Sequence, residues 1–510
     1  MLKRNKPTSP GGLSGSETNS NQALFFKAQS SDALLDETLQ QALKKAKGGF
    51  IEKRAQAIAD VENFDSYKQQ AQLVKNHTLD HLAFYLTQFE ENVIKNGGHV
   101  HWASTPEQLN NIILHICERR DAKSVTKGKS MISEEANLNS ALEAAGIDVT
   151  ETDLGEYIIQ LAKEPPSHII VPAIHKTRQQ VEALFRKTHD LGERDLDKIS
   201  ALVDEARLQL RQKFLDADVG ITGANMLIAD TGSAMVVTNE GNGDLTATLP
   251  KVHIVTASIE KVVPDLESAS AILRVLARSA TGQPITSYTS LFSGPRGIED
   301  LDGPDEFHII LLDNQRSQML GSPFEEMLKC IKCGACLNHC PVYSAVGGHA
   351  YGWVYPGPMG SVLTPLMTGL KQSSDLPNAS TFCGRCEEVC PMGIPLPELL
   401  RQLRNKEHEE HLTPWKTKFS LKGFMWTIQH PRVFHWLTKI TRLILANSSL
   451  TRLLEKHVLT GWYSSKELPK NHTKGTFMEQ YLQNSKQKES KQKEPKQKES
   501  KHKKSKQKKP

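Results

Sequence analysis

The chain has 510 residues, 24% of them charged, and a formal net charge of +5. That length leaves room for two or three domains, each with its own core, and no apolar run approaches the ~18 residues that a membrane helix needs. The charge is unevenly divided. The last 26 residues, the pentads SKQKE SKQKE PKQKE SKHKK SKQKK closing on Pro510, hold twelve Lys against three Glu, which leaves the remainder at −4 and excludes a basic nucleic-acid binder as the body of the protein.

In chain order, MLKRNKPTSPGGLSGSETNSNQ is basic and then rich in Ser, Gly and Asn, with no apolar core, and reads as a disordered leader rather than an export signal. Helical patterns follow from about residue 30 to 120, among them HTLDHLAFYLTQFEENVIKNGG with its Gly pair suited to a C-cap. From about 120 the rhythm changes. SVTKGK, IDVTET and HIIVPAI are short β-branched runs between helical ones, and NMLIAD, AMVVTN, KVHIVTA and FHIILLD resume the pattern after a long charged helical stretch. Alternation of this kind predicts βαβ units on a parallel sheet.

The expected division is a leader with N-terminal helices (1–70), an α/β domain (71–315), an iron–sulfur module (316–405), a helical C-terminal region (406–484) and a disordered Lys-rich tail (485–510). The tail cannot bury a core. In the C-terminal region, Trp426, Phe434, Trp436 and Leu437 mix with Lys439 and Arg442 around Pro431, a mix that suits either docking on the protein's own core or a peripheral membrane contact.

Within the α/β domain, VGITGANMLIADTGSAMVVTNEGNGDL is dense in Gly, Thr, Ser and Asn. Thr222, Gly223, Thr231, Gly232 and Ser233, with Glu240 as a carboxylate, are candidates for an anion or substrate pocket, although ordinary turns ask for the same residues. Neither a G-x-G-x-x-G nor a G-x-x-x-x-G-K-[ST] is present, so no nicotinamide, flavin or P-loop nucleotide site is supported. His175, Lys176 and Arg178 follow a strand-like run, where α/β domains often bind ligands.

The cysteines carry the sharpest signal. CIKCGACLNHCP places Cys330, Cys333, Cys336 and Cys340 in the complete C-x-x-C-x-x-C-x-x-x-C-P pattern, in which three thiolates on a tight loop take one cluster and the fourth reaches a neighbouring one. STFCGRCEEVCP repeats it with Ser380 in the first position. Crossed pairing gives Cys330, Cys333, Cys336 and Cys390 to one [4Fe–4S] cluster and Cys340, Cys383 and Cys386 to a second. The fourth ligand of that second cluster is Ser380, His339, or a group from solvent or a partner; otherwise it is a [3Fe–4S] cluster. Zinc leaves no task for the third cysteine of a C-x-x-C-x-x-C loop. Cys117, among Leu109, Ile112, Ile113 and Ile116 at helical spacing, is expected to be a core thiol. Cysteines devoted to clusters fit a reducing cytoplasm.

Taken together, HTLDHLAFYLTQFEENVIKNGGHVHWA, KSMISEEANLN, TDLGEYIIQLAKEPPSHIIVPAIHKTR, GITGANMLIADTGSAMVVTNEGNGDL, GGHAYGWVYPGPMGSVLTPL and both cysteine motifs resemble the LutB/LldF/YkgF family of lactate-utilisation iron–sulfur proteins, over about residues 45 to 465. The resemblance implies an α/β LUD domain, related to NagB/RpiA/CoA-transferase-like folds, followed by an α-helical ferredoxin-type two-cluster module and a helical C-terminal region. It also implies that the serine at position 380 is normal for the family.

The implied function is electron transfer in a cytoplasmic complex oxidising L-lactate to pyruvate. The implied partners are a cysteine-rich companion, a LUD-only companion and an acceptor in the respiratory chain, with no specific nucleic acid. An alternative is a LUD-domain enzyme acting on a small organic acid or sugar phosphate, with the clusters as an accessory electron path.

Overall fold

A computed structural model describes residues 23–413, 415–446 and 477–485. The leader up to residue 22 and the Lys-rich pentads from 486 lie outside the described residues. The described residues up to 412 form one compact unit and those from 413 a second.

The first unit is built on a six-stranded sheet. Its strands are β1 (His99–Ala103), β2 (Ser124–Lys127), β3 (Asp148–Glu151), β4 (Val219–Gly223), β7 (Val252–Ser258) and β10 (Glu306–Leu312), in the order β1-β10-β7-β4-β2-β3, every pair parallel. A parallel sheet must be covered on both faces, and alternate residues meet different layers. Ile254, Ile310 and Leu312 face the helices Pro106–Arg119 and Leu138–Ala144, whereas Val255, Ile309 and Leu311 face Leu86, Phe89 and Val93 of the helix Leu82–Lys95. Cys117 is fully buried in the first of these layers, where burial pushes its thiol up to about 11, so it is an unreactive core side chain.

A second sheet, β8-β5-β6-β9, consists of β5 (Met226–Ile228), β6 (Ser233–Thr238), β8 (Val262–Val263) and β9 (Tyr288–Phe292). Met226, Ile228, Met235 and Val263 of this sheet share a core with Tyr351, Tyr355 and Met359 of the cysteine-bearing module. The small sheet therefore joins the α/β layers to that module.

The expected strand HIIVPAI is irregular. Pro172 cannot donate to a ladder, and the segment is held instead by His168, whose Nδ1 accepts from the amides of Ile170 and Val171 (2.9 and 3.2 Å). Its Nε2 meets Asn338 Oδ1 at 3.0 Å, between Cys336 and Cys340 in the sequence. The loop is a dock for the module. Tyr343 Oη donates to the Ser167 carbonyl from the other side (2.8 Å).

The N-terminal helices also pack on the cysteine module. Phe26 lies edge-on to Tyr351, Gln40 Nε2 donates to the Ala345 carbonyl (2.8 Å), Arg54 Nη2 to Val389 (3.0 Å) and Gln72 Nε2 to Pro391 (3.0 Å).

In the second unit, helices Trp415–Gln429 and Pro431–Ala446 break at Pro431, which cannot continue the first helix. Trp415, Phe419, Phe424, Trp426 and Trp436 are exposed. No described helix is long and apolar enough to cross a membrane.

Candidate iron–sulfur centre

The two cysteine motifs adopt one backbone plan. In the first, Lys332 and Gly334 have φ of +55° and +73°, and a single-turn helix Ala335–Asn338 follows. In the second, Phe382 and Gly384 have φ of +53° and +79° before the helix Arg385–Glu388. Left-handed conformations at Lys332 and Phe382 are costly for residues with a Cβ and mark loops held for a purpose. Cys340 then caps the helix Pro341–Val346, with Pro341 in its first turn, where the missing amide hydrogen costs nothing.

The repeat extends to hydrogen bonds. The amide of Lys332 donates to Cys330 Sγ, and the amide of Phe382 donates to Ser380 Oγ at 3.2 Å. Ser380 thus occupies in the second loop the position that Cys330 occupies in the first. His339 Nδ1 donates to the Ala335 carbonyl (2.9 Å), which leaves only Nε2 as a candidate donor.

Cys330, Cys333, Cys336 and Cys390 line one pocket, walled by Met327, Met359, Met392 and Leu396. Burial pushes Cys333 up to about 12 and Cys390 to about 11, and Cys336 is raised by burial first and then by Cys330, Cys333, Cys390 and, from the second motif's other group, Cys386. Cys340, Cys383 and Cys386 influence one another in a second group. There Cys386 rises to about 12 through burial and Cys340, while Cys383 is exposed. Thiols crowded this way bind metal only by losing their protons together, and cationic iron is what offsets the repulsion. Among the described residues no three His, Cys, Asp or Glu converge as a site for a single metal ion. Thiol donors around an apolar pocket fit an iron–sulfur cluster.

The Gly-rich segment does not gather at one place. Thr222 Oγ1 bonds His253 Nε2 (2.8 Å) inside the core, and Gly223 ends β4 against Lys129 and Ser130. Thr231 and Gly232 lie in the turn of the β5–β6 hairpin, and Ser233 opens β6 opposite Ile228. There the Thr231 carbonyl accepts from Asn96, and Gly232 (φ +64°) comes so near Asn92 that a Cβ would lie 2.6 Å from its backbone carbon. Ser233 bonds Ser293 (2.8 Å). These three serve packing.

Glu240, raised by burial and by Asp153, lies instead by the carboxyl ends of β2, β3 and β4, where it accepts from the Leu154 amide (3.4 Å). The sheet order reverses between β2 and β4, the usual place for a ligand crevice. Sequence reading missed what lies there. Lys127, fully buried, pairs with Glu134 and Glu151 (2.9 and 2.8 Å), and Lys129 pairs with Glu156 (2.9 Å), whose carboxyl burial lifts to about 8. With Asp153 and Glu240 this makes five carboxyl groups against two lysines, a poor place for an anion. His175 and Lys176 both pair with Glu164, and Arg178 with Glu182, so these three are structural charges.

Fold and cysteine geometry together define a class: an α/β LUD-domain protein with an iron–sulfur module of the 4Fe–4S dicluster type. Family comparison agrees, with residues 86–312 matching the LUD domain and 326–394 the 4Fe-4S dicluster domain. The chain is 41% identical to Lactate utilization protein B of Bacillus velezensis over 467 residues, 91% of this chain and 98% of that one. It is 44% identical to the protein of that name from Bacillus licheniformis (78% and 84% covered) and 43% to that from Bacillus subtilis (78% and 83%). The chain belongs to the lactate utilization protein B family. A crystal structure of a DUF162 family protein from Deinococcus radiodurans aligns with 45% of this chain and 98% of its own at 15% identity and a TM-score of 0.26, too weak a likeness to carry an argument.

Proposed function

We propose that the chain is the iron–sulfur electron-transfer subunit of a cytoplasmic complex that oxidises L-lactate to pyruvate and supports growth on lactate. The relatives' shared name is the ground for lactate. The observation that carries the electron-transfer role is the pocket that Cys390 shares with Cys330, Cys333 and Cys336, fifty residues and more away in sequence. In this reading those four hold one [4Fe–4S] cluster, and Cys340, Cys383 and Cys386 hold the second with Ser380 at its fourth corner. Such clusters supply one-electron steps.

The chain's own residues set the access. The first group is walled by methionine and leucine side chains, whereas the exposed Cys383 opens the second group to a partner. Lactate yields two electrons and no nicotinamide or flavin motif is present, so substrate chemistry is shared with, or located in, a cysteine-rich and a LUD-only companion, with onward transfer to a respiratory acceptor. Membrane contact is at most peripheral. It would run through helices Trp415–Gln429 and Pro431–Ala446, whose exposed aromatics stand among six Lys and Arg and no Asp or Glu.

Iron and sulfide counts on anaerobically purified chain test the cofactor reading. About eight irons are expected, and about seven would mean a [3Fe–4S] second cluster without Ser380 as a ligand. Lactate is expected to bleach the clusters only when the companions are present. Bleaching of the isolated chain would move the active site here and favour the LUD-domain enzyme reading, in which Glu240 at the sheet's carboxyl end is the candidate carboxylate.

A further inference from the structure

Beside the first thiol group lies a buried network of charge that ordinary packing does not require. Lys332, in the cluster loop and lining the thiol pocket, reaches Tyr355 Oη (3.1 Å) and lies 3.8 Å from Glu260 Oε1. Arg316, 1% exposed, makes a two-pronged contact with Glu135 (2.9 and 2.8 Å) and a third contact with Glu260 Oε2 (3.0 Å). Tyr355 Oη and Asn314 Nδ2 complete the shell of Glu135, each at 2.6 Å. Lys75, 4% exposed, donates its ammonium to the backbone carbonyl of Glu260, and Lys261 follows in the chain, close enough to feel Lys75, Lys332 and Cys330.

The tally is four cations, Lys75, Lys261, Arg316 and Lys332, against two carboxylates, Glu135 and Glu260. An excess of about two positive charges in a water-poor interior is expensive unless an anion stands next to it. Burial and the neighbouring cations show that cost, since Lys75 is pushed down to about 8 and Lys261 to about 7 in the protein alone. Cys330 is the cluster-loop thiol whose field reaches Lys75, Lys261 and Lys332. A [4Fe–4S] core on four thiolates carries a net charge of about −2, and its net charge and surroundings set its potential.

We propose that this network, drawn from the α/β domain and the segments on either side of it, is the counter-charge of the first cluster and makes that cluster the more easily reduced of the two. The inference rests on the ligand assignment proposed above. The second loop offers the contrast. Where the first has Lys332, the second has Phe382, covered by Arg404 at 4.1 Å from the ring centre; of the buried lysines among the described residues, Lys75 and Lys332 stand in this network and Lys127 pairs with Glu134 and Glu151 elsewhere. Residues outside the cysteine motifs, Lys75, Lys261 and Arg316 among them, in this view act on electrons through charge.

The test is an EPR-monitored redox titration of the full chain, wild type against Lys75→Met, Lys261→Gln and Glu260→Gln, each with its iron content measured. Removing either lysine is expected to disfavour reduction of one cluster about tenfold, 59 mV for a one-electron couple, while Glu260→Gln shifts the same cluster in the opposite direction and the other cluster stays put. Lys75→Arg is expected to restore the wild-type potential. Full iron content with no shift, or with all three substitutions moving the potential the same way, overturns the counter-charge. A wild-type chain that does not take up two clusters overturns the ligand assignment instead. Should Lys75→Met fail to fold, the partly exposed Lys261 and the isosteric Glu260→Gln still give opposite signs.

Discussion

His168 shows how much one side chain settles. Both of its ring nitrogens are committed, Nδ1 as acceptor to two amides and Nε2 as donor to Asn338, which is possible only for the neutral ring. Burial accordingly holds it down at about 4, and burial with His308 holds His253 at about 3. Folded values below the unfolded ~6.5 mean that the stability from each is present above pH 6.5 and is lost as pH falls towards 4. Between pH 7.5 and 5 each is expected to cost about 2 kcal/mol, read as a lower urea midpoint at pH 5, with His168→Asn showing a shallower dependence. Gly334 touches the same ring. Its φ is +73°, and an added Cβ would sit 3.3 Å from His168 Cε1, so Gly334→Ala is expected to cost about 1–3 kcal/mol and to lower retained iron, checked by thermal unfolding with iron analysis. Cys390→Ser is expected to remove one cluster, about four irons, and to leave the signal of the other. Glu240→Gln, remote from the cysteines, is expected to leave lactate-driven reduction in the reconstituted complex unchanged; a large loss there would favour the LUD-domain enzyme.

At the scale of elements, the parts legible in the sequence are those whose signal is local. β2, β3, β7 and β10 fall on β-branched runs readable as strands, because both faces of a parallel sheet demand apolar residues, and β5 and β6, an antiparallel pair in the smaller sheet, are as readable because they are buried nearly throughout. β4 was hidden in a segment read for its glycines. β1 and β9 carry exposed and polar positions, such as His99 and Tyr288, that blur the pattern. HIIVPAI misled because an apolar run records burial and not the partner that buries it: Ile169 packs with the cysteine module instead of pairing in a ladder. The cysteine spacings were legible, and the charge network was not, since Lys75, Glu135, Glu260, Arg316 and Lys332 are scattered over more than 250 residues. The helices Phe26–Leu35, Glu37–Ala59 and Phe64–Asp80 gave helical periodicity but no hint of their destination. Because Arg54 and Gln72 bind the backbone on either side of Cys390, the double variant Arg54→Ala/Gln72→Ala is expected to lose iron to a chelator several-fold faster than wild type while keeping its helical circular dichroism.

For the molecule as a whole, the first described helix and the last turn of the cysteine module are neighbours: Lys27 pairs with Asp375 at 2.7 Å across 348 residues, and Phe26 shares a core with Leu400 and Leu403. Topology of this kind gives high contact order and slow folding. It also orders events in time during synthesis. At roughly 5–20 residues per second, helix Phe26–Leu35 leaves the ribosome roughly 20–75 s before the segment around Leu403 that buries it. Cys330, Cys333 and Cys336 likewise emerge several seconds before Cys390 on the same scale. The sheet of the α/β layer, complete by Leu312, can form in that interval and hold out the wall of Glu260 and Arg316 against which the cysteine loops later close. Iron delivered before Cys390 arrives meets an open three-thiol loop; iron delivered after it meets a pocket already shaped. The order of the chain thus makes cluster insertion a late step, governed by the last few dozen residues of the first unit.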